Sequence, residues 1–289
     1  MSLLDWSRPY LPTARPLGCA ACALEYLEPV PLRSLTLDEL TIDDETSFRG
    51  VAVYHRLKEA LRASGHKFKV ADAGENASWD RALFLNLTFW SPSEEASVLV
   101  DDHVAPDVVA HTALHHVVGR ALARASAGSS PAALLLGEAI ASAFDLYLVG
   151  RLLEIAPDSD FVTSQVPLMA EAAEQAGLDE AAFALLLESV SAAPERAFED
   201  LRALLVDVGT ALHACADAAA AHVALEDFAG HRFAPLLHHF QLSNWILYAR
   251  AYAREDRGGD DAVRALDEAL RASSDSLAWI EARWLGEAP

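Results

Sequence analysis

Positive charge is scarce in this sequence. Its 289 residues hold 22 Lys+Arg against 43 Asp+Glu, for a formal net charge of −21. Such a chain repels phosphate backbones, which excludes non-specific DNA or RNA binding and disfavours docking on anionic lipid. Cysteine is sparse too, and three cysteines cannot build a disulfide framework. Cys19 and Cys22 form a CxxC, readable as a redox pair, as half a zinc site, or as two reduced thiols on a short helix. No second CxxC completes a zinc site, so the thiol reading is preferred. Neither a glycine-rich phosphate loop nor a GxSxG elbow occurs, which removes two common nucleotide-binding and hydrolase signatures. Met1 to Tyr10 carries Asp5 and no apolar run of leader length. The most apolar stretch, Ala132 to Gly150, contains Glu138 and Asp145, which argues against a membrane span. The expectation is a cytoplasmic protein.

What the chain does have is core-forming material. Hydrophobic residues make up 52% of it and the mean hydropathy is +0.15, so the acidity rides on a chain able to bury a core. Residues 1–50 are rich in proline and acid and read as an irregular segment, with a short helix near Ala20–Tyr26. Val51 to Ala63 has helical spacing and stops at Ser64-Gly65. Arg81 to Trp90 alternates in the manner of a strand, and Ser97 to Val100 is a second strand able to pair with it as an antiparallel ribbon. Beyond Val100 the pattern is helical: 107–124, 131–154 with Ser130 as cap, then 164–176, 179–191, 194–226, 232–254 and 260–284. The fold class is α+β and predominantly α. It divides into an irregular segment (1–50), an α+β module (51–155) and a helical C-terminal region (156–289).

The chemistry concentrates between Val98 and Arg151. His111 and His115 are four residues apart on a predicted helix and share a face with Val108, Val118 and Leu122, so both imidazoles should point inward. Two imidazoles so placed can hold a divalent metal, with His116 as a neighbour a quarter-turn away. The next helix is apolar nearly all round and therefore buried. Glu138 and Asp145 are the only acids from Ala132 to Leu153, seven residues apart and on one side. A buried carboxylate needs a cation, a metal or a hydrogen-bonding network, and the preceding helix offers histidines. His111, His115 and Glu138 can converge as a His₂Glu set with a fourth position for water, the composition of a catalytic zinc site.

This layout resembles the gluzincin branch of the zincin metallopeptidases over about 70 residues, roughly Arg81 to Arg151. In that family a strand precedes a helix bearing HExxH, and a second helix supplies a glutamate. Here the strand is Ser97–Val100, the two-histidine motif is His111-Thr112-Ala113-Leu114-His115, and the second helix offers Gly137-Glu138-Ala139-Ile140-Ala141. The resemblance implies zinc held by His111, His115 and Glu138, with Ser142 or Asp145 orienting a ligand histidine from outside. The family's water-activating glutamate is replaced by Thr112. A hydroxyl is no general base near neutral pH, and losing a positioned base costs ~10²–10⁴-fold in rate. The resemblance thus implies a metal-dependent hydrolase, or a relative without ordinary proteolysis, acting on a small-molecule or peptide substrate.

A second histidine group lies in Phe228–Trp245. By analogy with the family's downstream oxyanion-stabilising residue, His231, His238, His239 and Tyr248 are candidates for that role, against a reading as packed histidines on a helical face. Two other functions compete. A helical iron or manganese oxidative enzyme would use the same residues with His116 and the C-terminal histidines, but no ExxH pair occurs in the helical part. A non-catalytic scaffold would bind a protein partner through the C-terminal helices, where Trp245, Tyr248, Leu266 and Leu270 suggest one tetratricopeptide-like helix pair.

Overall fold

A computed structural model describes residues 32–71, 98–125, 130–252 and 257–286. The expected strand Arg81–Trp90, the Cys19/Cys22 pair and the short helix near Ala20–Tyr26 lie outside them. The chain is predominantly helical, with a small β element ahead of the helices. Strand β1 (Leu32–Thr36) pairs antiparallel with β3 (Lys67–Ala71), which pairs parallel with β4 (Val98–Leu99). A second, two-stranded ladder joins β2 (Thr41–Ile42) to β5 (His103–Val104) in parallel. The strand expected at Ser97–Val100 is therefore present as β4, with β3 as its partner.

Residues 32–50 differ from the irregular segment expected there. The prolines end at Pro31, which leaves the following backbone free to donate to a sheet. The acids serve local structure: Glu39 accepts from the Thr36 amide (2.8 Å) and hydroxyl (2.7 Å), closing a capping box. Glu45 accepts from Tyr54 (3.0 Å) and Lys58 (2.5 Å) of helix α1 (Ala52–Ser64). Position 50 is thus no boundary, because β1 and β2 are stitched into the module that follows. Helix α1 ends at Gly65, whose φ of 68° is the left-handed conformation that glycine adopts without strain.

Helices α2 (Pro106–Arg124) and α3 (Pro131–Ile155) come next. Ser130 caps α3 by accepting from Ala133 N, and Pro131 occupies the first turn. Helix α3 is the centre of the molecule. It packs against α2, α4 (Asp160–Gln175), α5 (Glu180–Ala192), α6 (Pro194–Ala214), α8 (Leu242–Tyr252) and α9 (Arg257–Ala272). It is long and apolar enough to cross a membrane, but 83% of its most apolar stretch is buried within the protein. Since α3 packs most extensively on α6, the division expected at 155/156 does not separate two cores. One cluster of buried apolar residues runs from Leu37 to Ile280.

Three long helices expected from periodicity are interrupted. The 194–226 stretch breaks into α6 and α7 (Ala218–Glu226), because Asp217 turns extended and caps the second piece by accepting from Ala220 N. The 232–254 stretch breaks at Gln241, whose φ is 49°, into a 3-10 segment (Ala234–Phe240) and α8. The 260–284 stretch breaks after α9 where Asp275 turns extended and caps α10 (Ser276–Ile280), and it ends in a π-turn (Glu281–Leu285). Charge also shapes the C-terminal half. Arg202 of α6 is fully buried and is held by Glu199 (2.6 Å) and by Asp267 of α9 (2.6 Å).

Gly150 fixes how closely α3 approaches the α5–α6 corner. A Cβ there would lie 2.8 Å from the Val190 carbonyl oxygen and 3.0 Å from Pro194 Cβ, and backbone cannot step aside cheaply. Gly150→Ala should destabilise the protein by about 1–3 kcal/mol. Urea unfolding measures this, and an unchanged midpoint would mean that the corner yields.

Candidate metal centre

Helix α2 enters through Pro106, whose fixed φ suits a first turn. Its buried stripe is Val109, Ala110, Ala113, Leu114, Val117 and Val118, which serves packing on both α1 and α3. The stripe is broader than the spacing argument allows, and His111 and His115 sit at its edge. Their side chains are 33% and 28% exposed, so the imidazoles border solvent and do not point into the core. Helix α3 crosses alongside. A Cβ on Gly137 would stand 3.9 Å from His115 Nδ1 and from Val118 Cγ1, ordinary contact distances that mark where the helices meet. The following residue, Glu138, is 9% exposed, and its carboxylate comes up beside His115.

The donor atoms converge. His111 Nε2 and His115 Nε2 are 3.1 Å apart, and Glu138 Oε2 is 3.6 Å from His115 Nε2. One ligand atom from each residue lies within 4.8 Å of those from the other two. Nitrogens on a tetrahedral zinc stand about 3.3 Å apart when each bond is about 2.0–2.1 Å, so the histidine spacing fits such an ion. Asp145 Oδ2 lies 3.2 Å from His111 Nδ1. A carboxylate accepts only, so Nδ1–H donates; in the neutral ring the lone pair of His111 is then on Nε2, on the side of His115. Two Nε2 atoms at 3.1 Å must share a proton or a cation.

The electrostatics follow from that geometry. Burial pushes His111 toward its neutral form, but the charge and hydrogen bond of Asp145, with Glu138 and Asp107, outweigh it and raise its pKa to about 9. Burial raises Glu138 to about 7, with His111 opposing and Asp145 assisting. Burial and repulsion from Asp145 raise Asp107 to about 6. Asp107 precedes His111 by one turn, so 107, 111 and 115 form a single i, i+4 row on α2. The row is legible in the spacing alone, yet a search for metal ligands stops at the two histidines and passes over the acid.

Thr112 and His116 lie beside the two histidines on α2, half-buried, and Ser142 is buried on α3 between Glu138 and Asp145. The second histidine group is distributed differently. His231 lines a separate cleft of about 620 Å³ with Glu199, Asp200, Asp207 and Arg271, and burial lowers its pKa. Its Nδ1 accepts from the Phe233 amide at 3.2 Å. His238 is exposed on the 3-10 segment, and Tyr248 is half-buried on α8. It is His239 that feels the charge of Asp145, and burial depresses its pKa. The interruption at Gln241 puts His238 and His239 on the 3-10 segment and Tyr248 on α8, so no one continuous helix carries them.

Comparison of the chain with protein-family models, with curated proteins and with solved structures finds no match. The chemistry of the site is therefore the ground for its function.

The raised pKa values carry a stability consequence. A group that binds its proton more tightly when folded stabilises the fold below its unfolded pKa and loses that contribution as pH rises through the folded value. For Glu138 the window runs from 4.5 to about 7, and for His111 from 6.5 to about 9. Chelator-treated protein should therefore lose stability steadily between about pH 5 and about pH 9. Urea midpoints across that range test this, and His111→Ala should flatten the upper half of the slope. A flat or rising profile in the unsubstituted protein would contradict the assignment.

Proposed function

We propose that this chain is a zincin-like metal-binding protein that holds one zinc ion through His111, His115 and Glu138. The observation that carries the reading is the convergence of those three donor atoms from two packed helices, with Asp145 fixing the tautomer of His111. Among the described residues no other group of three His, Cys, Asp or Glu side chains converges in this way, which favours a single ion over an iron pair. A bound zinc ion supplies Lewis acidity toward a carbonyl oxygen or a water. The chain's residues do the rest. Glu138 brings one negative charge to the donor set, Asp145 holds the His111 ring in place, and the partial exposure of both histidines leaves an approach from solvent.

Where the gluzincin resemblance puts a proton-accepting glutamate, Thr112 stands. A hydroxyl cannot take a proton from water near neutral pH, so ordinary peptide hydrolysis is weak or lacking, and metal-dependent hydrolysis of a more reactive bond is the chemistry that fits. Elemental analysis of protein purified from zinc-supplemented cells should find about one zinc per chain. His111→Ala and Glu138→Gln should each lose it. In the zinc-loaded protein, Thr112→Glu should raise hydrolysis of a fluorogenic peptide by ~10²-fold or more. Protein that folds but takes up no zinc would overturn the metal reading. Unchanged hydrolysis in Thr112→Glu with zinc retained would overturn the claim that only the base is missing.

A further inference from the structure

The charges around a metal decide what can approach it. We propose that the site at His111, His115 and Glu138 selects ligands or substrates that carry a positive charge beside their metal-binding group, and rejects anionic ones. This rests on the metal-binding reading and adds a substrate class to it.

Three carboxylates act on His111: Glu138 and Asp145 from α3, and Asp107 from its own helix one turn earlier. Among the described residues Glu138 and Asp145 pair with His115 and His111, and none of the three carboxylates pairs with lysine or arginine. Several acids elsewhere do have an arginine partner. Glu199 and Asp267 share Arg202, Asp200 has Arg232 at 2.8 Å, Asp207 has Arg271 at 2.8 Å, and Glu195 has Arg151. Burial pushes down the pKa of His239, which feels the charge of Asp145 from the 3-10 segment.

Around a divalent ion with neutral imidazoles, two positive charges then stand against three negative ones. The first two carboxylates neutralise the ion, and Asp107 leaves the site negative. His111 and Asp145 are each about one-third exposed, so that field reaches the surface where a ligand enters. The net charge of −21 adds the same sign at longer range. A carboxylate or phosphate near the metal-binding group meets repulsion here, whereas an ammonium or guanidinium is drawn in.

Cobalt(II)-loaded protein, followed by its visible absorption, provides the test. L-Lysine hydroxamate and L-glutamic acid α-hydroxamate share a chelating group and differ in side-chain charge. The lysine compound should bind about ten-fold more tightly or better at low salt. The gap should shrink in about 0.5 M sodium chloride, where charges a Debye length apart are screened. Asp107→Asn, compared at full cobalt loading, should narrow it further. Equal affinities, or a preference for the glutamate compound, on cobalt-loaded protein would overturn charge selection and leave the metal reading standing. Folded protein that binds no cobalt would overturn both.

Discussion

A carboxylate inside a helix that is otherwise apolar is the constraint on which this structure turns. Helix α3 must be buried, because its leucines, alanines and aromatics cover nearly its whole circumference. Burying it takes Glu138 out of water, which is unfavourable unless the charge is matched or the carboxyl protonated. The molecule brings a histidine-bearing helix against that point, with His115 and Val118 facing Gly137 at ordinary contact distance. Asp145, seven residues along the same face, then engages the first histidine. The site and the core are one problem: the helix that organises the packing also carries the acids that need a cation.

Packing around α3 accounts for the shape of the remainder. Helices from both sides of it in the chain lie against it, and Gly150 lets the α5–α6 corner approach to a distance no side chain would allow. At the far side, the buried guanidinium of Arg202 ties α6 to α9 through Asp267, and Arg271 reaches both Asp267 and Asp207. A buried ion pair of this kind is weak evidence for stability, but it fixes register, since neither partner finds equivalent solvation elsewhere. Glu199, Asp200, Asp207 and Asp267 of the C-terminal half are thus matched by arginine, whereas Glu138 and Asp145 at the histidine cluster are matched by imidazole. The same residue type serves architecture in one place and is available for chemistry in the other.

Legibility in the sequence tracks the range of the interaction. The helices at 106–124, 131–155 and 180–192 are readable because their caps and periodicity are local: Ser130 and Asp179 each accept from an amide three residues on. Helix α4 starts earlier than its pattern suggests, at the Ser159 cap. The breaks at Asp217 and Gln241 are hidden because alanine-rich and mixed stretches continue the helical pattern across them, and packing on α6 and α3 decides the turns. Strand β1 is hidden because proline and acid dominate the residues around it, while its pairing with β3 spans the whole of α1.

Helical period and apolar composition alone require that α3 be buried, that Glu138 and Asp145 share one side of it, and that His111 and His115 share one face of α2. None of these needs a neighbour. That the two faces meet, that Asp145 reaches Nδ1 of His111, that the imidazoles border solvent, and that His231 lines a different cleft emerge only once the chain is folded. Each depends on the angle and depth at which separate elements pack, and side chains far apart in the chain set both.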